Sequence, residues 1–175
     1  MLTPEQEKWI NHLSDQDVIK IIPFDPTAEE KYKKVRQRVH EALGDKIPID
    51  HHGATSLGIS GQDEIDVYIP VAQTRFDLMI DPLKSIFGEP KSLYPLDRAR
   101  FVTEEDGKHV DVFLINKEHD GWKNMVRFEA YLRLHPEALE AYRKLKEDSN
   151  GLSVREYYRR KIEFINDVLS KTGNS

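Results

Sequence analysis

Apolar positions in this chain recur at two periods, and the changes of period mark out its elements. Tyr32, Val35, Val39 and Leu43 share one face at helical spacing. Thr27-Ala28-Glu29-Glu30 ahead of them has the form of a capping box, and Gly44 supplies a stop. Thr3-Pro4-Glu5-Gln6 is a second capping box with proline at the first helical position, so a helix carrying Trp9, Ile10 and Leu13 is expected there. Residues 18–22 and 47–51 read as short strands. Residues 53–61, small and hydroxyl-rich, read as a loop or turn that packs no core. The stretch 65–71 reads as a strand, with Pro70 demanding an edge or a strand end.

Residues 74–87 suit a helix that Pro82 kinks or divides and Gly88 closes. Apolar stretches at 100–103 and 109–115 flank an Asp106-Gly107 pair, the signal of a hairpin between antiparallel strands. Beyond Lys117 the pattern is helical over 122–134, 136–147 and 153–169, with a turn at Ser149-Asn150-Gly151. The expected architecture is α+β in one domain over residues 1–175: a small mixed sheet at about 18–116 with helices on one side, then a helical tail at about 118–170.

Composition narrows the class of function. A chain of 175 residues suits one compact domain, and 38% hydrophobic with 33% charged residues is the balance of a soluble globular protein. The net charge of -5 argues against broad nucleic-acid binding, which depends on neutralising phosphates. The absence of cysteine excludes a disulfide framework and fits a reducing compartment. No secretory pattern opens the sequence and no apolar run reaches the length of a membrane span, so a cytoplasmic location without a membrane is expected.

Acids at alternate positions of a strand share a face, which directs Glu64 and Asp66 the same way. Converging carboxylates can hold a hard divalent cation such as Mg2+ or Mn2+, and a metal pair can clamp the attacking and leaving oxygens of a nucleotidyl transfer. Asp111 interrupts the apolar run Val110-Asp111-Val112, and burying it without a partner would be costly, so it is the natural third acid. Gly53-Ala54-Thr55-Ser56 precedes the acid strand, and its amides and hydroxyls are suited to phosphate oxygens.

Gly53-Ala54, nine residues, then Glu64-Ile65-Asp66-Val67 resembles the signature of the nucleotidyltransferase superfamily. More narrowly the chain resembles the GrpB family (UPF0157-like), in the opening stretch 19–26, in the loop motif 51–66 and in the C-terminal pattern from Phe128-Glu129-Ala130-Tyr131 to Pro136-Glu137. That pattern continues through Tyr142, Leu145-Lys146, Tyr157, Lys161 and Phe164-Ile165, so the resemblance covers about residues 18–169. Ala54 stands where the superfamily usually has serine or glycine, and Glu64 where it usually has aspartate; Ser56 or Thr55 is the substitute hydroxyl.

The resemblance implies a polymerase-β-like fold and transfer of a nucleoside monophosphate from a nucleoside triphosphate to an acceptor. The acceptor, whether a small molecule, an RNA end or a protein, is left open. Glu64, Asp66 and Asp111 are the implied catalytic and metal residues. Gly53, Ala54, Thr55, Ser56, His109, Arg100 and Lys161 are the expected nucleotide contacts, His109 because it shares the face of Asp111. Two other readings compete with the enzyme: a nucleotide-binding module that does not turn over, and a protein-interaction domain on the same fold. His51 and His52 are expected to be structural and His135 a helix-boundary residue. The tail aromatics Phe128, Tyr131, Tyr142, Tyr157, Tyr158 and Phe164 are expected to pack against one another.

Overall fold

The structure, a computed structural model, describes residues 1–172. These fall into two compact units: one comprises residues 1–23, 59–62 and 124 onward, and the other residues 24–58 and 63–123.

The second unit is built on a five-stranded mixed sheet. Its strands are β1 (Asp50–His52), β2 (Glu64–Val71), β3 (Ser92–Tyr94), β4 (Arg98–Glu105) and β5 (Lys108–Asn116), in the order β1-β2-β5-β4-β3. Only β2 and β5 run parallel; the remaining neighbours are antiparallel. Alternation in the two central strands sends Ile65, Val67, Ile69 and Val71, with Val110, Val112 and Leu114, to one face. There they pack under helix α2 (Ala28–Leu43), through Tyr32, Val35 and Val39, and helix α4 (Gln73–Phe87), through Phe76, Met79 and Leu83. The alternate residues Glu64, Asp66 and Tyr68, with His109, Asp111 and Phe113, are left on the opposite face.

The expected hairpin forms across Asp106 and Gly107, both at positive φ, as a type I′ turn requires. Pro70 lies inside β2 and not at its end. β1 covers β2 only from Asp66 to Tyr68, so a residue lacking an N–H sits where that side of the strand has no neighbour. Helix α4 runs through Pro82 undivided; the carbonyl of Leu78 loses its ladder bond, and Leu78 lies on the exposed side where solvent can satisfy it.

Three local expectations are corrected. Residues 53–57 form a short helix, α3 (Gly53–Leu57), ended by Gly58 in the left-handed conformation, and not an open loop. Four small or hydroxyl residues and a single leucine leave no apolar periodicity to announce one turn of helix. Ile59, just beyond, is buried and so does contribute to a core. The Thr27 capping box does not form, because the Thr27 amide and hydroxyl both donate to Asp25 Oδ1, at 2.9 and 2.7 Å.

The first unit holds helices α1 (Pro4–Asn11), α6 (Pro136–Asp148) and α7 (Val154–Thr172), with α5 (Asp120–Leu134) from Asn124 on. At α1 the capping box is complete: the Gln6 amide donates to the Thr3 hydroxyl and the Thr3 amide to Gln6 Oε1. Residues 18–22 make no strand; they contribute isolated bridges, Val18 to Ser153 and Ile22 to Gly61. Phe128, Tyr142 and Phe164 pack on one another as expected, with ring centroids 5.2 Å apart for Phe128 and Tyr142 and 5.3 Å for Tyr142 and Phe164, whereas Tyr131 stacks on His135. Among the described residues no helix is long and apolar enough to cross a membrane.

Candidate functional site

The site lies on the sheet face opposite α2 and α4. Strands β2 and β5 run parallel in a register that makes Glu64 the Cα partner of His109 and Asp66 that of Asp111. Four polar side chains therefore form a two-by-two array whose spacing is set by the ladder and not by a loop.

Asp111 is 5% exposed. Its Oδ1 accepts from Arg100 Nη1 at 3.3 Å and lies 3.1 Å from His109 Nε2. Arg100 stands on β4, two residues from Val102, the Cα partner of Asp111, so its guanidinium reaches the buried carboxylate from the neighbouring strand. The acid expected to need a polar destination has one. Donor atoms of Glu64, His109 and Asp111 all lie within 4.8 Å of one another. The compact group thus differs in one member from the three carboxylates expected for a metal: an imidazole joins Glu64 and Asp111, and Asp66 stands beside them in register.

Asp66 is engaged on its other side by the start of α3. Gly53 has φ +76°, and a Cβ built on it would lie 2.1 Å from Asp66 Oδ2. The backbone of Gly53 is therefore pressed against the carboxylate, which is the close approach that only glycine permits. Within the same turn the Ser56 hydroxyl donates to the Gly53 carbonyl at 3.2 Å, and Thr55 Oγ1 lies 2.9 Å from His51 Nε2. Ala54, between them, is partly buried. The two hydroxyls expected to replace a serine at position 54 are thus employed in shaping the turn. His51 also meets Glu29 Oε2 at 3.0 Å and stacks on Tyr32, which is a structural role.

Next along the strands from the two aspartates, Tyr68 and Phe113 are partners in the register and stack with centroids 4.7 Å apart. Trp122 lies 5.8 Å from Tyr68 and 5.3 Å from His52. Sequence reasoning missed this aromatic patch beside the acids, although the signal was present: Tyr68 and Phe113 each follow an acid by two residues. Lys161 belongs to the other unit, where its ammonium stands 5.8 and 5.3 Å from the ring centroids of Tyr157 and Tyr158. His135 precedes α6, with Nδ1 2.9 Å from the Tyr131 carbonyl, as a boundary residue.

Two carboxylates with an imidazole are donors suited to a divalent cation, and Arg100 leaves the group net negative. The chemistry of this donor set fits a metal.

Comparison with known proteins gives one family. The family model described as GrpB protein matches residues 18–171. A UPF0157 protein of Vibrio cholerae serotype O1 is 24% identical over 150 residues, covering 85% of this chain and 79% of that protein. The crystal structure of the conserved protein GrpB from Enterococcus faecalis superposes with a TM-score of 0.66 at 18% identity, covering 87% of this chain and 96% of that one.

Proposed function

The chain belongs to the GrpB family, and on that premise we propose that it is a metal-dependent nucleotidyltransferase, which moves a nucleoside monophosphate from a nucleoside triphosphate to an acceptor. One observation carries the reading. Asp66 and Asp111 stand side by side in the register of two parallel central strands, with Glu64 and His109 as the adjoining pair and the Gly53 turn against Asp66.

Glu64, Asp66 and Asp111 are the residues to hold Mg2+ or Mn2+. A bound cation there would neutralise charge on the transferring phosphoryl group. The chain's own groups do the rest. Arg100, half-exposed and anchored on Asp111, offers a guanidinium to triphosphate oxygens. Backbone amides of 53–56 meet the phosphates, and His109 is placed to hydrogen-bond a phosphate or the ribose. An acceptor hydroxyl attacks the α-phosphorus in line; the new phosphorus–oxygen bond forms as the bond from the α-phosphorus to the α–β bridging oxygen breaks, pyrophosphate leaves, and the hydroxyl proton passes to Asp111 where that carboxylate is not itself engaged by a second cation.

The test is incubation of the purified chain with each labelled nucleoside triphosphate, Mg2+ or Mn2+ and a cell extract, followed by a search for labelled product and pyrophosphate. Product made by the natural chain and not by Asp66→Asn supports the reading. A nucleotide-dependent rise in melting temperature without pyrophosphate would assign the chain instead to non-catalytic nucleotide binding, and no rise at all would favour an interaction domain.

A further inference from the structure

We propose that His109 serves this site as a metal ligand and not as a contact to phosphate or ribose, and that Glu64, His109 and Asp111 together select a first-row transition cation, Mn2+ in preference to Mg2+. The inference rests on reading this face as a cation site, and it does not require that the chain turn over.

The geometry comes first. Two ligands on opposite sides of one cation, each about 2.0–2.5 Å from it, sit about 4–5 Å apart. Donor atoms of Glu64, His109 and Asp111 already lie within 4.8 Å of one another, so modest side-chain rotation brings them onto one ion. Their backbone positions need no adjustment. His109 and Asp111 are two residues apart on β5, and Glu64 is the Cα partner of His109 across the β2–β5 ladder, so two hydrogen-bonded strands place all three. His109 points inward to the group, with Nε2 3.1 Å from Asp111 Oδ1, and is still about half-exposed, which leaves the ring accessible to an ion arriving from solvent.

The chemistry of the third donor then decides the metal. Mg2+ takes oxygen ligands in near-ideal octahedral geometry and keeps much of its water, whereas imidazole nitrogen favours the first-row transition ions. Two carboxylates with one imidazole lie between these preferences, and Mn2+ accepts both donor types. A triad of carboxylates alone would give no such discrimination. Arg100 reaches Asp111 Oδ1 from the neighbouring strand and lowers the net negative charge of the group, which weakens every divalent cation alike and so leaves the selection to His109.

Mn2+ bound to the whole chain without nucleotide is directly visible by electron paramagnetic resonance, and pulsed spin-echo measurement detects a coordinated imidazole nitrogen. The natural chain is expected to bind Mn2+ about tenfold or more tightly than Mg2+ and to show the nitrogen coupling. His109→Gln keeps a polar side chain at this half-exposed position; it is expected to fold with an unchanged melting temperature, to lose the nitrogen coupling, and to bring the Mn2+/Mg2+ ratio towards unity. Glu64→Gln is the companion variant: it is expected to weaken Mn2+ binding while the residual bound ion keeps its nitrogen coupling. Bound Mn2+ without nitrogen coupling in the natural chain, or a preference that survives His109→Gln, overturns the proposal and reduces His109 to a hydrogen-bonding partner of Asp111. Pyrophosphate release in that same outcome would leave the nucleotidyltransferase reading standing, whereas failure to bind either cation, with or without nucleotide, would remove both.

Discussion

Gly53 and Asp66 are thirteen residues apart in the chain and in contact in the fold: a methyl group on Gly53 would occupy the space of Asp66 Oδ2, 2.1 Å away. The start of the short helix and the central acid are therefore one structural unit, and the glycine is required by both its φ of +76° and its neighbour. Gly58, at φ +71°, has nothing within 4 Å of the corresponding position and supplies the control. Gly58→Ala is expected to cost about 1–2 kcal/mol, the strain of left-handed backbone alone. Gly53→Ala carries the same strain and also displaces the Asp66 carboxylate, so it is expected to destabilise further and to lower Mn2+ affinity by about tenfold or more. Denaturant unfolding and cation titration of the two variants check this; equal effects would mean that the contact with Asp66 has no consequence.

How far this site was legible in the sequence depends on the range of the interactions that make it. Alternation over 64–71 and 109–115 marks which residues share a face, and Asp111 in an apolar run marks a buried acid with partners. Whether the two faces adjoin is a matter of strand order, and no local pattern states that β2 and β5 are parallel neighbours forty-five residues apart. For that reason His109 was legible as a neighbour of Asp111 but not as a partner of Glu64. Lys108 is a second case. It directly follows the Asp106-Gly107 turn and carries no local sign of burial, yet it is buried, with Nζ 2.5 Å from Asp63 Oδ1 and 3.7 Å from Asp25 Oδ2. Strand β3 is three residues long with Leu93 and Tyr94 exposed, too short and too open to leave a period.

Asp66→Asn removes a charge and almost no volume, and the amide fits the space against Gly53. The fold is expected to persist with little change in melting temperature, while affinity for Mg2+ or Mn2+ in the presence of nucleotide falls by about tenfold or more. Calorimetric titration of both cations decides it, and an unchanged isotherm would remove Asp66 from the site.

Asp25 ties the loop before α2 to its surroundings and gives the fold a predictable acid dependence. The Lys31 ammonium at 2.8 Å and the Thr27 hydroxyl hold the Asp25 carboxyl well below the usual carboxylate range, against the opposing effect of burial. A carboxyl depressed in the folded state contributes stability that is present above its unfolded pKa, about 3.9, and is lost as pH falls through the folded value. Asp25→Asn should therefore destabilise at pH 7, and the gap between variant and natural chain should narrow below about pH 4. Urea unfolding at pH 7 and pH 3 measures both; a gap of constant size would show that ionisation of the Asp25 carboxyl contributes nothing to stability.

The turn 53–57 must do two things in the nucleotidyltransferase reading, hold Gly53 against Asp66 and face the triphosphate, and Ser56 and Ala54 separate them. The Ser56 hydroxyl donates its one proton to the Gly53 carbonyl, so Ser56→Ala is expected to cost about 0.5–1.5 kcal/mol of stability. It should also weaken nucleotide binding, because the carbonyl that fixes the turn is released. Ala54 donates nothing from its side chain and, in that reading, takes the place of a serine or glycine, so Ala54→Ser is expected to be tolerated. A new hydrogen bond to a charged phosphate is worth about 1.5–3 kcal/mol, which would tighten nucleotide binding by about one to two powers of ten. The two measurements are opposed in sign, which guards against a general effect of mutation in this turn. If neither variant changes nucleotide affinity while Ser56→Ala still loses stability, the turn serves only to position Asp66, and the phosphate contacts must come from Arg100 and the cation.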